Sequence, residues 1–486
     1  LAGLGVETHM KKAWRLPPAL VGVFNRYVPF ADAASADLPL ARLLRLSLFQ
    51  VAVGITTALL VGTLNRVMIV ELNVPAWIVA TMVALPLLFA PFRAFLGFHS
   101  DNHRSVLGWR RVPYLWFGTL LQYGGLAIMP FALMVLSGTG RGPVEIGQAG
   151  AALAFLMVGA GLHATQTAGL ALATDLAPKE TRPRVVALMY VMLLVGMVGA
   201  SVLFGWLLGG RYSHLRLIQT IQGAAVITFV LNAIALWKQE PRDRARSLSP
   251  VASEKFNLVW RNFTAARPTR RLLATVGFGT AAFSMQDVLL EPYGGAILHM
   301  DVGATSLLTA LSAGGALLAF GGSARALRRG ADPLRVSALG ILVGVVAFAA
   351  VVFADPLGSP ALFRFGALLI GFGGGLFSVG TLLAAMSLER SDNGLALGAW
   401  GAVQATGAGI AIALGGAACN LIGDMAVRGD LGPALVSPAT GYLFVYHVEI
   451  ALLFAALVAM GPLVRRSRTP PVASGPQALG LAELPG

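Results

Sequence analysis

Along the chain, apolar residues gather in long runs separated by short polar stretches. A run of about 20 predominantly apolar residues suits a membrane-crossing helix. The pattern predicts twelve such helices, near residues 43–65, 74–97, 113–137, 147–175, 184–209, 216–238, 271–298, 304–327, 334–354, 360–387, 397–423 and 440–464. Several exceed what a bilayer requires, which permits tilt or extension beyond the headgroups. Ahead of the first, Leu38–Leu48 reads as an amphipathic lead-in, with Arg42 and Arg45 toward headgroups and leucines toward lipid. The expected fold class is an all-α membrane protein of twelve transmembrane helices.

Composition agrees. Of 486 residues, 56% are hydrophobic and 12% charged, against about 25% charged in a soluble domain. A water-soluble enzyme, a disordered chain and a secreted disulfide scaffold are excluded. Cys419 is the only cysteine, so no intrachain disulfide and no cysteine cluster for zinc or iron–sulfur is expected. Pro17, Pro18, Pro29 and Pro39 interrupt the N-terminal segment, which does not read as a secretory leader, and Met10-Lys11-Lys12 reads as a plausible start.

The net charge of +14 changes the picture only through its placement. Of the 36 Lys and Arg, 28 fall in the two termini and alternate loops, five in the remaining loops and three inside spans. That bias places both termini and the 239–270 loop in the cytoplasm. The basic excess thus sets topology, and nucleic acid is not an expected partner. The expected organisation is a cytoplasmic N-terminal segment (1–42), a six-helix half (43–238), a cytoplasmic linker (239–270), a second six-helix half (271–464) and a cytoplasmic tail (465–486). Two halves of nearly equal length and like orientation resemble the major facilitator superfamily, in which the halves face each other across a central cavity.

The loop after the second span reads Gly97-Phe-His-Ser-Asp101-Asn-His-Arg104-Ser-Val-Leu-Gly108-Trp-Arg110-Arg111. It resembles that superfamily's loop motif, with Ser105-Val106-Leu107 inserted before the Gly-x-Arg-Arg element. Gly97 permits close helix approach, while Asp101 could cap a helix and pair with Arg104, Arg110 or Arg111, latching the halves on the cytoplasmic side. The other reading is an ordinary basic loop. The corresponding Gly321–Arg329 stretch lacks the Asp.

A narrower resemblance rests on longer strings: Pro29–Ala34, Leu43–Gln50, Gly62–Leu72, Ser105–Tyr114, Gln286–Gly294 and Arg390–Trp400. These are similar to the PucC/LhaA family, the bacteriochlorophyll-delivery branch of the superfamily found in phototrophic bacteria. The resemblance spans residues 25 to 465 or so. It implies a role in assembling light-harvesting antenna, either the core LH1 ring around the reaction centre or the peripheral LH2, by delivering bacteriochlorophyll to nascent antenna polypeptides. It also implies residence in the inner, intracytoplasmic photosynthetic membrane.

Polar residues inside spans are costly and point to function. His163 lies about 24 Å from the outer end of the fourth span. Its imidazole suits the central magnesium of a chlorophyll, Gly159 and Gly161 would leave room for a flat macrocycle, and Gln166 on the same face could bond a ring carbonyl. The alternative is a buried histidine bonded to a neighbouring helix. Asp287 and Glu291 share one face of the seventh span, and Pro292 is expected to kink it. They line a cavity, pair with an arginine such as Arg66, or sit at the outer interface. His447 and Glu449 enter the twelfth span on different faces, as antenna contacts or interfacial groups. Glycine runs at Gly371–Gly375, Gly407–Gly409 and Gly415–Gly416 give small faces, for packing within the chain or for docking antenna helices.

Two functions of different class compete. One is a non-catalytic assembly factor that binds antenna helices and hands them pigment. The other is a secondary transporter moving a small solute by proton-coupled alternating access, for which Asp287, with Asp175 or Glu449, supplies few titratable groups. No nucleophile–base set, phosphate loop or metal cluster supports an enzyme.

Overall fold

The computed structural model describes residues 33–34, 38–88, 109, 111–138, 142–178, 181–210, 213–240, 266–387 and 393–466. Among them every long element is a helix and no strand occurs. In chain order these are α1 Leu40–Glu71, α2 Ala76–Leu88, α3 Val112–Leu136, α4 Val144–Leu176, α5 Arg182–Leu208, α6 His214–Leu236, α7 Arg267–Ala296, α8 Val302–Arg328, α9 Pro333–Ala354, α10 Pro360–Ser387, α11 Asn393–Val427 and α12 Thr440–Arg466. Eleven are long and apolar enough to cross a membrane, and α2 is a shorter apolar helix whose predicted continuation to 97 lies outside the described residues. The chain is a multi-pass membrane protein.

Helix starts follow local chemistry. Proline occupies the first turn of α3, α5, α7 and α9, where a missing N–H costs nothing. Asp301 accepts a bond from the Ala304 N–H at the head of α8 (2.7 Å), and Asp332 one from Leu334 at the head of α9 (2.9 Å). The Glu240 carboxylate, just beyond α6, takes the free N–H groups of Arg111 and Val112 at the start of α3, at 2.9–3.1 Å.

The lead-in differs from expectation. α1 begins at Leu40 and runs directly into the span, with Leu43 and Leu46 buried. Arg42 bonds to Gln239, through its side-chain oxygen at 3.0 Å and its backbone carbonyl at 2.6 Å. A packing partner 197 residues away replaces the headgroups there.

Helices α1–α6 pack on one another, as do α7–α12, with α3 against α4 mirrored by α9 against α10. The two groups meet along α2 with α11, α5 with α8, and α1 with α7. Close backbone approach at the first two contacts depends on small residues. A Cβ on Gly416 of α11 would meet Ala80 and the Ala76 carbonyl of α2, and one on Gly205 of α5 would stand 3.0 Å from the Gly303 carbonyl of α8.

Candidate functional site

The α1–α7 contact is built differently, because both helices are irregular there. α1 widens into π-helical turns at Ala58–Thr63 and Val67–Glu71, and such turns commonly mark functional positions. In α7 the break is a 3-10 turn at Met285–Val288. Pro292 accounts for it: with no N–H it leaves the Val288 carbonyl without its helical donor. The expected distortion is therefore present, one turn ahead of the proline. Two of the strings that carry the family resemblance, Gly62–Leu72 and Gln286–Gly294, fold against each other here.

The irregular turns free backbone groups that side chains then use. Asn65 Nδ2 donates to the Asp287 carbonyl at 2.9 Å and also to Val61 within α1. Gln286 Nε2 donates to Asp287 Oδ1 at 2.6 Å. Thr309 of α8 donates to Glu291 Oε1 at 2.5 Å, and the Thr63 and Ser306 hydroxyls lie 3.3 Å apart. Gly62 leaves room for this arrangement: a Cβ there would stand 2.6 Å from the Thr309 hydroxyl and 2.7 Å from Glu291 Oε1, and both side chains would have to shift.

Arg66 is 4% exposed, binds Glu71 in an ion pair and donates to the Met300 carbonyl at 3.2 Å. It also lies within electrostatic reach of Glu291. Glu291 is thus buried between three helices, five residues from the end of α7, and its hydrogen-bond partner is Thr309.

Glu449 is a residue whose place the sequence did not reveal. It is fully buried, while His447, two positions earlier, is exposed and bonds back to the Leu443 carbonyl at 2.7 Å. The two do occupy different faces, but only His447 is available as a surface contact. The helix of Glu449 packs on the 3-10 turn Met285–Val288, which carries Asp287. Asp287 and Glu449 each stand nine residues from the nearer end of their helices, about 14 Å along the axis. Beside them Tyr293 packs on Phe363, Tyr442 and Tyr446, each at a centroid distance of 5.5 Å. The bundle therefore buries more titratable groups than the few expected from the sequence.

His163 and Gln166 lie on α4, away from this cluster. His163 is half-buried at the edge of the accessible stripe that contains Leu153, Ala160 and Thr167, and Gln166 is buried. The adjacent glycines offer no slot for a macrocycle: Gly159 is filled by Pro86 of α2 and Gly161 by Gln122 and Gly118 of α3. Of the latch residues, Gly97, Asp101, Arg104 and Arg110 lie outside the described residues. Arg111 pairs with Asp175 at the end of α4 at 3.1 Å, a bond within one half. The glycine faces pack internally, Gly371 on Ser312, Gly375 on Ala316 and Gly415 on Met285.

The family model described as PUCC protein matches residues 63–468. The chain belongs to the PucC family. The α1–α7 seam from Thr63 onward and the whole second half lie inside the matched region. A PucC protein of Rhodovulum sulfidophilum is 59% identical over 398 residues, covering 80% of this chain and 87% of the relative. An uncharacterized protein of the puhA-bchM intergenic region of Rhodobacter capsulatus is 55% identical over 466 residues, covering 94% and 97%. Among solved structures, a bacterial homologue of the lysosomal transporter Spinster, inward-facing and unoccupied, aligns with a TM-score of 0.64 at 14% identity, covering 89% of this chain and 98% of that one. Such a likeness carries the fold alone: this PucC-family chain has the major-facilitator architecture.

Proposed function

We propose that this PucC-family chain is a non-catalytic assembly factor for bacterial light-harvesting antenna, which binds nascent antenna polypeptides and hands them bacteriochlorophyll. The observation that carries the reading is family membership across residues 63–468, supported by relatives above 50% identity along nearly the whole chain. Both termini are cytoplasmic in this reading, in the inner photosynthetic membrane, and the clients are LH1 with its reaction centre or LH2.

The pigment contact we assign is the accessible stripe of α4. With Gly159 and Gly161 already filled, the residues that would hold the pigment in this reading are the half-buried His163 beside that stripe and Gln166 one turn on. A neutral imidazole is a good metal ligand. The test is purification in mild detergent from phototrophically grown cells, with an absorption spectrum and identification of co-purifying polypeptides. The expected result is bound bacteriochlorophyll and antenna subunits, with pigment lost in His163→Ala and kept in His447→Ala. Colourless protein from cells with normal antenna assembly would overturn pigment carriage.

A further inference from the structure

The seam holds more buried negative groups than buried positive ones. Glu291 and Glu449 are buried, with Asp287 half-buried beside them; among the described residues the buried cation of the seam is Arg66, which already binds Glu71 and the Met300 carbonyl. Acceptors also outnumber donors among the unpartnered buried atoms here, the donors being Arg66 Nε and the Tyr293 and Tyr446 hydroxyls. Asn65 Oδ1, Gln286 Oε1, Glu291 Oε2 and both Glu449 carboxylate oxygens are buried with no donor in bonding geometry. Asn65, Gln286 and Glu449 are each at most 4% exposed, and the two amides are anchored on Asp287 through their NH2 groups, at its carbonyl and at Oδ1.

Among the described residues the titratable and charged neighbours are Asp287, Glu291 and Tyr293 from α7, Arg66 and Glu71 from α1, Tyr442 and Tyr446 from α12, Cys419 from α11 and, toward Tyr293, Asp355 just beyond α9. None is a cation free to neutralise Glu449. A buried carboxylate without a counter-ion, next to a second carboxylate, is an arrangement proteins resolve by binding a cation or neutralising the group. Among the described residues no group of three or more His, Cys, Asp or Glu is arranged to hold a metal ion. The ligand that fits is the smallest cation.

We propose that Glu449 and Asp287 form a proton-binding site where α12 meets the α1–α7 seam, holding one proton between them. Loss of that proton sets two like charges against each other across the 3-10 turn whose carbonyl Asn65 grips. The seam between the halves is therefore tied to proton occupancy. This inference needs neither pigment nor antenna and stands apart from the assembly reading.

The experiment uses the full chain in lipid nanodiscs. Infrared spectra at neutral pH should show the C=O stretch of a protonated carboxylic acid. It should be lost in Glu449→Gln and in Asp287→Asn, and retained in Asp175→Asn and Glu291→Gln. Glu449→Gln has the shape of the protonated acid, so its thermal midpoint near neutrality should match that of the unaltered chain. Hydrogen exchange across 58–71 and 285–296 should rise several-fold on raising the pH, and this response should be flat in Glu449→Gln. Absence of the band, its persistence in both seam variants, or a large fall in the Glu449→Gln midpoint overturns the proposal. Loss of the band on adding sodium at fixed pH also overturns it, because the ligand is then a metal cation.

Discussion

The two halves of this protein meet in two physically different ways. At α2–α11 and α5–α8 the contact is backbone against backbone across Gly416 and Gly205. In lipid no hydrophobic force draws helices together, so close packing of small residues supplies the attraction. At α1–α7 both helices depart from ideal geometry, and the contact is made by amides, hydroxyls and carboxylates. The first kind of seam tolerates no added volume, and the second no lost partner. Substitutions that probe volume and polarity separately therefore discriminate the two.

The largest effect is expected from volume. In Gly416→Leu even the first added carbon meets Ala80 and the Ala76 carbonyl, and the rest of the side chain has nowhere to go. Overpacking of a well-packed contact costs about 1–3 kcal/mol, and a collision with backbone belongs at the top of that range, about 3 kcal/mol. Thermal unfolding in detergent should show a marked fall in midpoint. An unchanged midpoint would mean that α2 and α11 do not touch there. Next comes polarity. Arg66→Met removes the partner of Glu71 and the donor to Met300 while keeping the apolar stem. Breaking a fully buried pair costs about 3–5 kcal/mol. The Glu71 side chain keeps 24% of its surface exposed, which lowers the expectation to about 2 kcal/mol. A double substitution with Glu71→Gln should recover part of the loss.

The contrast also shows what a sequence makes legible. Helix number, order and approximate ends follow from apolar runs, since every backbone group in lipid must be satisfied within its own helix. The glycine contacts were half visible: small faces can be counted, but Gly371, Gly415 and their partners are assigned only once helices are assembled. The polar seam was the least legible part. Asp287 and Glu291 stand out by spacing, yet Glu449 reads as an entry residue beside His447, because burial is fixed by α7, more than 150 positions earlier. Likewise Gly159 and Gly161 read as empty space, when Pro86 and Gln122 occupy it. The π turns of α1 have no counterpart in the hydropathy pattern at all.

A smaller effect tests the polar seam through a neutral group. Asn65→Ala removes the bond to the Asp287 carbonyl without altering charge, and a single hydrogen bond contributes about 1 kcal/mol. Hydrogen exchange at 285–291 should rise in this variant, whereas exchange along the α5–α8 contact should not. Loosening at both places would show that the seams act as one unit.

The smallest effect comes from Gly199→Ala, and it sets the scale for the rest. Gly199 lies on α5, the helix whose Gly205 touches Gly303, yet a Cβ at Gly199 meets nothing within 4 Å. In a soluble helix the exchange would stabilise by about 0.5–1 kcal/mol, because glycine loses more backbone freedom on folding. Here that gain shrinks, since a helix separated from its neighbours in lipid keeps its own hydrogen bonds and most of its order. The expected change in midpoint is therefore slight and upward, with monodispersity unaltered. A fall comparable to that of Gly416→Leu would mean that α5 rotates its exposed face into a contact absent from this arrangement, and the division into packed and polar seams would have to be redrawn around it.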